Sequence, residues 1–209
     1  MVSDGYKFAA APIILGVLSL IFGWRITPLV VLGIVFLLLG AFVSWFFRDP
    51  ERTVPADPSA VVAPADGRVL EIVPEHLADR PGQRMSIFLA IWNVHVNRAP
   101  VAGRISDVQY RPGRFHMAMR SEASAQNEQN VIHLETPRGE IVFKQIAGWV
   151  ARRVILWKKP GETVGRGERV GIVRFGSRVD LWLPPEAQIV VKPGDHVAGG
   201  SSIVARWPS

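Results

Sequence analysis

The chain has 209 residues, an apolar fraction of 48%, and 24 Lys and Arg against 18 Asp and Glu, for a net charge of +6. That length suits one domain, or a domain with an appendage. It contains no cysteine, which excludes disulfides, thiolate nucleophiles and cysteine-ligated metals; the dispersed basic residues form no aromatic-basic recognition motif, which argues against nucleic acid and suits a surface facing anionic headgroups.

The first elements are apolar. Phe8 to Trp24 gives 17 uncharged residues and Ile26 to Phe47 gives 22. At about 1.5 Å per residue the second run reaches about 33 Å and the first about 25 Å, against a hydrocarbon core of about 30 Å. Residues 1–47 are therefore expected to form a membrane-associated helical hairpin. A cleaved signal peptide is the alternative, but only Lys7 precedes the first run and no small-x-small cleavage site leads into a folded domain. A buried hairpin of a soluble protein would carry an amphipathic pattern, and none is visible. Lys7 before the pair, and Arg48 and Arg52 after it, outweigh Arg25 in the connection. This bias places both ends, and the rest of the chain, on the cytoplasmic face of the cell membrane.

Residues 48–67 follow as a proline-rich linker leading into the domain, "FFRDPERTVPADPSAVVAPADG". From residue 68 to 209 the pattern is short strands punctuated by Gly and Pro, so the fold class is mainly β (α+β), with a barrel- or sandwich-like domain. "RMSIFLAIWNVHVN" reads as one alternating strand, with Phe88, Ala90, Trp92, Val94 and Val96 on one face and Leu89, Ile91, Asn93 and His95 on the other. "FHMAMRSEASAQNEQN" is a loop or short helix, and "EIVFKQIAG" and "RRVILWK" return to strand. "KPGETVGRGERVGIV" from Lys159 and "KPGDHVAGGSSIVA" from Lys192 form a repeat offset by 33 residues (192 − 159). Paired units of this kind occur in lipoyl-carrying domains, which leaves a non-enzymatic carrier or interaction module as one reading.

Little catalytic chemistry is available. The five histidines (76, 95, 116, 133 and 196) show no metal-ligand spacing, so no metal is expected. Gly165-Arg166-Gly167 does not open a helix, and the G-x-S-x-G elbow is absent. A serine after a glycine remains: Gly176-Ser177, in "VRFGSRVDLWLP". Glycine leaves its carbonyl open and permits a strained turn. The Ser177 hydroxyl can then attack the Gly176 carbonyl and convert the amide to an ester. Elimination leaves dehydroalanine, and its hydrolysis yields a pyruvoyl group and ammonia. A turn serine without chemistry is the plainer reading of the dipeptide, as it is for Gly200-Ser201. The acyl shift needs a base; His95 is the candidate and Asp66, in "APADGRV", the candidate orienter. Each has an ordinary structural reading as well, a strand histidine and an Asp-Gly turn.

Together, "FFRDPER", "VAPADGRV", "WNVHVNRAPVAGRI", "NEQN", "QIAGWVARRV" and "GERVGIVRFGSRVDLWLP" resemble, in order and spacing, the short type of phosphatidylserine decarboxylase proenzymes. The resemblance implies autocatalytic cleavage between Gly176 and Ser177 and a covalent pyruvoyl cofactor derived from Ser177, which forms a Schiff base with the substrate. It also implies an Asp-His-Ser arrangement on Asp66, His95 and Ser177, and phosphatidylserine of the membrane as substrate, decarboxylated to phosphatidylethanolamine. The two fragments then persist as a heterodimer, with higher oligomers open. Short-type members also include enzymes of archaeal serine lipids. Two positions depart from longer members: the cleavage motif reads F-G-S-R instead of L-G-S-T, and Trp92 stands where they carry a second histidine. Arg152, Arg153, Lys158 and Lys159 are candidates for the lipid phosphate. A pyruvoyl decarboxylase of a soluble amino acid is the competing enzyme reading, and it has no use for residues 8–47.

Overall fold

The computed structural model of the chain describes residues 1–149, 153–174 and 176–208; Arg152 and Phe175, both named above, lie outside the described residues. Two compact units form, Met1–Glu51 and Arg52–Ser209. The class is as expected, mainly β with an apolar helical pair at the N-terminus.

In the first unit, helix α1 (Ser3–Gly23) and helix α2 (Thr27–Phe46) are separated by a three-residue connection, and Pro28 in the first turn of α2 favours a fresh start there. Small residues let the two backbones approach. A methyl on Gly16 would lie 2.8 Å from Leu37 Cγ, and one on Gly40 would lie 2.5 Å from Ile13 Cγ1. Close small-residue contacts are the usual means of pairing helices whose outer surfaces are apolar. Those outer surfaces here are Phe22, Val31, Val35 and Leu38, all exposed. The helices have 21 and 20 residues and are long and apolar enough to cross a bilayer.

In the second unit, strands numbered in chain order build three antiparallel sheets. The largest runs β13 (His196–Val197), β2 (Gly67–Pro74), β3 (Gln83–Leu89), β11 (Ser177–Leu183), β7 (Gly139–Ile146), β6 (Gln129–Thr136), β5 (Gly103–Arg111), β9 (Thr163–Val164). The others are β1 (Ala60–Val62), β14 (Ile203–Arg206), β12 (Gln188–Ile189), and β4 (Val96–Arg98), β10 (Arg169–Val173), β8 (Val154–Leu156). The segment read from sequence as a linker thus contains a strand, β1, with Val61 and Val62 fully buried. "FHMAMRSEASAQNEQN" yields one short helix, α3 (Ala123–Gln126).

The C-terminal repeat is a repeat of backbone conformation. Gly161 and Gly194 have φ of +92° and +99°, and Gly167 and Gly200 have +77° and +78°. Lys159 N–H donates to Glu162 Oε1 and Lys192 N–H to Asp195 Oδ2, each at 2.9 Å. The first copy supplies β9 and β10, the second β13 and β14, and β9 and β13 close opposite ends of the large sheet on β5 and β2. Their partners repeat too: Ala63-Pro64-x-x-Gly67-Arg68-Val69 and Ala99-Pro100-x-x-Gly103-Arg104-Ile105 are 36 residues apart (99 − 63). Pseudo-symmetry therefore spans the whole unit, and the linear pattern in its C-terminal third showed half of it.

All seven residues of β11, at the middle of the large sheet, are buried. Leu181 and Leu183 enter the main apolar cluster with Met85, Ile87 and Phe143. The alternate residues face a cluster of charges. Arg178 donates through Nε to Asp180 Oδ1 (2.6 Å), and through Nη2 to Glu71 Oε1 (2.6 Å) and Ser86 Oγ (2.6 Å). Arg84 bonds Glu71 Oε1 (2.8 Å) and Glu75, and Ser124 Oγ donates to Asp180 Oδ2. Burial pushes the Glu71 carboxyl up, but hydrogen bonds from Arg84 and Arg178 outweigh it and hold it below its ordinary 4.5. Glu140 is likewise depressed: burial raises it, and Arg80 and His133 more than compensate.

A carboxylate depressed by folding contributes stability above its unfolded pKa and loses it as pH falls through the folded value. The melting temperature of this unit should therefore hold from neutrality to about pH 5 and fall below that. Glu71→Gln should be less stable at neutral pH and show a shallower acid decline. Arg178→Met strands the buried Asp180 and should cost about 3–5 kcal/mol in denaturant unfolding at pH 7; a loss within about 0.5 kcal/mol would contradict a role for this ion cluster.

Candidate active site

Gly176-Ser177 lies where the chain leaves one sheet for another. Strand β10 belongs to a three-stranded sheet, and β11 begins at Ser177 inside the large one. Gly176 makes the turn with φ +66°, in the left-handed region, and among the described residues beyond its chain neighbours no atom lies within 4 Å of where its Cβ would stand. Glycine is required here by conformation and not by space. Ser177 pairs with Leu89, and its position on β11 puts it on the same face as Val179. Its side chain is fully buried, and among the described residues Oγ has no hydrogen-bond partner. A buried hydroxyl without a partner is costly, and this one belongs to the proposed nucleophile.

The alternating run through residues 84–97 is not one strand. Strand β3 ends at Leu89 and β4 begins at Val96. Asn93 breaks it: its N–H donates to Ala90 O (2.8 Å), and its side-chain Oδ1 accepts the Ala90 N–H (2.9 Å). An asparagine that satisfies the backbone in this way competes with the ladder and closes a turn. His95 therefore belongs to the segment leading out of a turn, and not to a strand face. Its Nδ1 sits 2.9 Å from Asn93 O, so Nδ1 carries the proton and Nε2 is the acceptor nitrogen. Nε2 accepts the Gly176 N–H at 3.3 Å, while His95 O accepts the Val173 N–H at 3.3 Å. One residue thus holds both ends of the crossover between sheets. His95 is 1% exposed.

Asp66 is held by other groups. Its Oδ2 accepts from Arg52 Nη2 at 2.7 Å and its Oδ1 from Gly199 N–H at 2.8 Å. The structure brings His95 to the Gly176 N–H, one peptide before the Gly176-Ser177 bond, gives it Asn93 O as the orienting partner, and ties Asp66 to Arg52 and to the second repeat. Trp92 is largely exposed. Of the candidate phosphate ligands, Lys158 bonds Glu168 Oε1 at 2.5 Å, which raises its pKa and counters its charge. Arg153 lines a surface hollow with Tyr110 and Glu128, and Lys159 is exposed. Among the described residues no three His, Asp or Glu side chains gather as a metal site.

Two residues, Gly148 and Asn127, escaped the sequence reading although they lie in the segments that carried the resemblance. A methyl on Gly148 would stand 1.9 Å from the Gly176 carbonyl oxygen and 3.4 Å from Ala118 Cβ. The carbonyl that Ser177 would attack is therefore packed against the backbone of Gly148. Asn127, 1% exposed, fixes this neighbourhood: Nδ2 donates to His116 O (2.9 Å) and Ala147 O (2.8 Å), and Oδ1 accepts the His116 N–H (2.9 Å). Only the chain's path shows why these positions matter.

Cleavage of the 176–177 peptide, expected from the sequence, should be far more sensitive at Gly148 than at Gly176. Gly148→Ala must displace the carbonyl, and misplacement by about 1 Å costs about 100-fold. Gly176→Ala meets no neighbour and adds about 1–2 kcal/mol of backbone strain, about tenfold. Gel densitometry of purified variants over time measures both rates, and equal rates would contradict this packing.

Comparison with known proteins agrees in one direction. The sequence profile of the phosphatidylserine decarboxylase family matches residues 39–205. A phosphatidylserine decarboxylase proenzyme of Solibacter usitatus is 44% identical over 206 residues, covering 99% of this chain and 96% of the relative. Proenzymes of the same name from Desulfotalea psychrophila (44% over 180 residues, 84% of each chain) and Symbiobacterium thermophilum (39% over 209 residues, 98% and 94%) are also similar.

Proposed function

The chain belongs to the phosphatidylserine decarboxylase family, and from that premise we propose that it is a self-cleaving, pyruvoyl-dependent enzyme that converts phosphatidylserine to phosphatidylethanolamine at the membrane. The observation that carries the reading is the pairing of His95 Nε2 with the Gly176 N–H, beside a buried Ser177 Oγ that has no partner among the described residues. Nε2 lies one peptide from the scissile bond and exchanges that N–H for the Ser177 hydroxyl when it takes the proton. Oγ adds to the Gly176 carbonyl carbon, the C–N bond breaks, and residue 177 is left esterified with a free amine. Removal of its α-proton then expels the Gly176 carboxylate, and water replaces nitrogen at residue 177 with loss of ammonia.

The setting of residue 177 fits a small ketone, with Leu89 opposite it and Ala65 and Val179 packed beside that leucine. A pyruvoyl ketone there supplies the electron sink for decarboxylating an amine-bearing acid. The bond of His95 to Asn93 O supports giving His95 the return of a proton. Asp66 acts as a positioning residue, holding Arg52 and the Gly199 turn around the Ala65 end of the site. Cleavage would not release the small fragment, because β11 is paired on both sides and β13 and β14 are paired with β2 and β1. The α1–α2 pair is the membrane anchor, and the charge bias of its flanks favours the cytoplasmic face for residues 52–209.

Intact mass is the deciding measurement. Purified protein should contain residues 1–176 and a fragment of 33 residues (209 − 176) with a blocked N-terminus. Ser177→Ala should remain whole and inactive. His95→Ala should mature about 100- to 10,000-fold more slowly, and Asp66→Asn should show a milder delay. A wild-type chain that decarboxylates lipid while uncut, with a free serine at 177, would overturn the reading.

A further inference from the structure

Three loops converge on Gly176-Ser177, and each carries large apolar side chains into solvent. Ile91 and Trp92 form the tip of the turn that begins just after Leu89, the partner of Ser177. Met117 and Met119 flank Ala118, and Trp149 follows Gly148, the two residues that meet beside the Gly176 carbonyl. These five are 41% to 65% exposed. The loops are nonetheless built firmly. Asn127 ties His116 to Ala147, Asn93 closes its turn on Ala90, and Arg178 Nη1 donates to Arg120 O at 3.4 Å. An apolar rim held in place around a reactive centre is not the accidental exposure of single surface residues.

We propose that this rim is a second membrane-contacting surface, which seats the mouth of the active site on the surface of an anionic bilayer independently of the α1–α2 pair. The proposal rests on the reading of the substrate as a bilayer lipid. Arg114 and Arg120, both exposed, bracket the methionines. Tryptophan and methionine next to arginine is the chemistry of an interfacial surface, with apolar groups among the acyl chains and cations at the headgroups. A second copy of the chain fits worse, since the same arginines and a net charge of +6 would face each other. A lipid whose headgroup must reach a buried residue 177 then needs to rise only into a mouth already pressed to the surface.

The absence of cysteine makes the test direct. In the full chain, Met117→Cys, Met119→Cys, Trp149→Cys and, as control, the comparably exposed Val190→Cys of strand β12's edge each accept one environment-sensitive fluorophore. Reconstituted into phosphatidylcholine vesicles containing phosphatidylglycerol, labels at 117, 119 and 149 should shift to the blue and be quenched by lipids carrying a nitroxide near the glycerol, while that at 190 should not. Met117→Glu with Met119→Glu should raise the apparent KM for vesicle-borne substrate by about tenfold or more, from lost burial of two side chains, and leave turnover of a detergent-dispersed short-chain analogue similar. Quenching at 117, 119 and 149 no greater than at 190 would overturn the proposal, as would a blue shift that needs no vesicles and grows with protein concentration, the signature of a second copy. Quenching does not depend on catalysis. An uncut chain with quenched rim labels would refute the decarboxylase reading and keep the surface; a cut, active chain with unquenched labels would do the reverse.

Discussion

The structure turns on a change of sheet made in three residues. Val173 ends β10 in one sheet, and Ser177 begins β11 at the centre of another. Both ends are pinned, the first by pairing with β4 and β8 and the second by pairing with β3 and β7. The left-handed turn falls on Gly176, the one residue type that adopts it without penalty. The peptide after that turn presents its carbonyl to Gly148 and places the next side chain, Ser177, in a buried setting. The reactivity proposed for this bond follows from that geometry. A serine in a free loop would hydrogen-bond with water, and its neighbouring carbonyl would rotate.

Holding the crossover requires the two sheets to keep their places, and buried polar groups do this from both sides. Asn130 Nδ2 donates to Gln145 Oε1 at 3.0 Å, and Gln145 Nε2 donates to Asn97 Oδ1 at 2.8 Å. This row of amides joins β6 and β7 of the large sheet to β4, the strand beside β10. On the opposite face of β11, Arg178 and Asp180 sit in the charge cluster with Glu71 and Arg84. Buried ion clusters are poor sources of net stability, but breaking one is expensive, so they select one register over its neighbours. For β11 that selection matters, because a slip of one residue would turn Ser177 to the other face.

The same arrangement explains how a chain cut just before the middle strand of its large sheet could remain one protein. The segment after residue 176 contributes the middle strand of the large sheet, an edge strand of it, and the strand that joins β1 to β12. Its apolar residues, Leu181, Leu183, Val204 and Trp207 among them, belong to the main cluster. Separating the pieces would expose that core, whereas breaking one peptide in a turn removes no packing.

Much of this was legible in the residues. Two uncharged runs of 17 and 22 residues can only satisfy their backbones as helices in an apolar medium, so the N-terminal pair was evident from composition. Alternation and Gly-Pro punctuation read correctly as a β-rich unit because the period of two is a local property. The repeat at Lys159 and Lys192 was visible for the same reason, since turn residues encode their own backbone angles. The alternation through residues 84–97 misled, because Asn93 closes a turn by side-chain bonds that periodicity does not register. Gly148, Asn127 and the partnership of His95 with Asn93 O and Gly176 N–H had no local signature. Apart from the short-range bond of His95 Nδ1 to Asn93 O, they depend on segments 20 to 81 residues apart coming together, as Asn127 does with Ala147 and Gly176 N–H with His95 Nε2. The sequence by itself determined most of the elements, the apolar helical pair and the candidate dipeptide with its candidate histidine; only the tertiary structure decided which partners hold that histidine, which glycine packs on the carbonyl and which loops surround it, because such contacts are fixed by strand order and register, and these are not properties of any one stretch of chain.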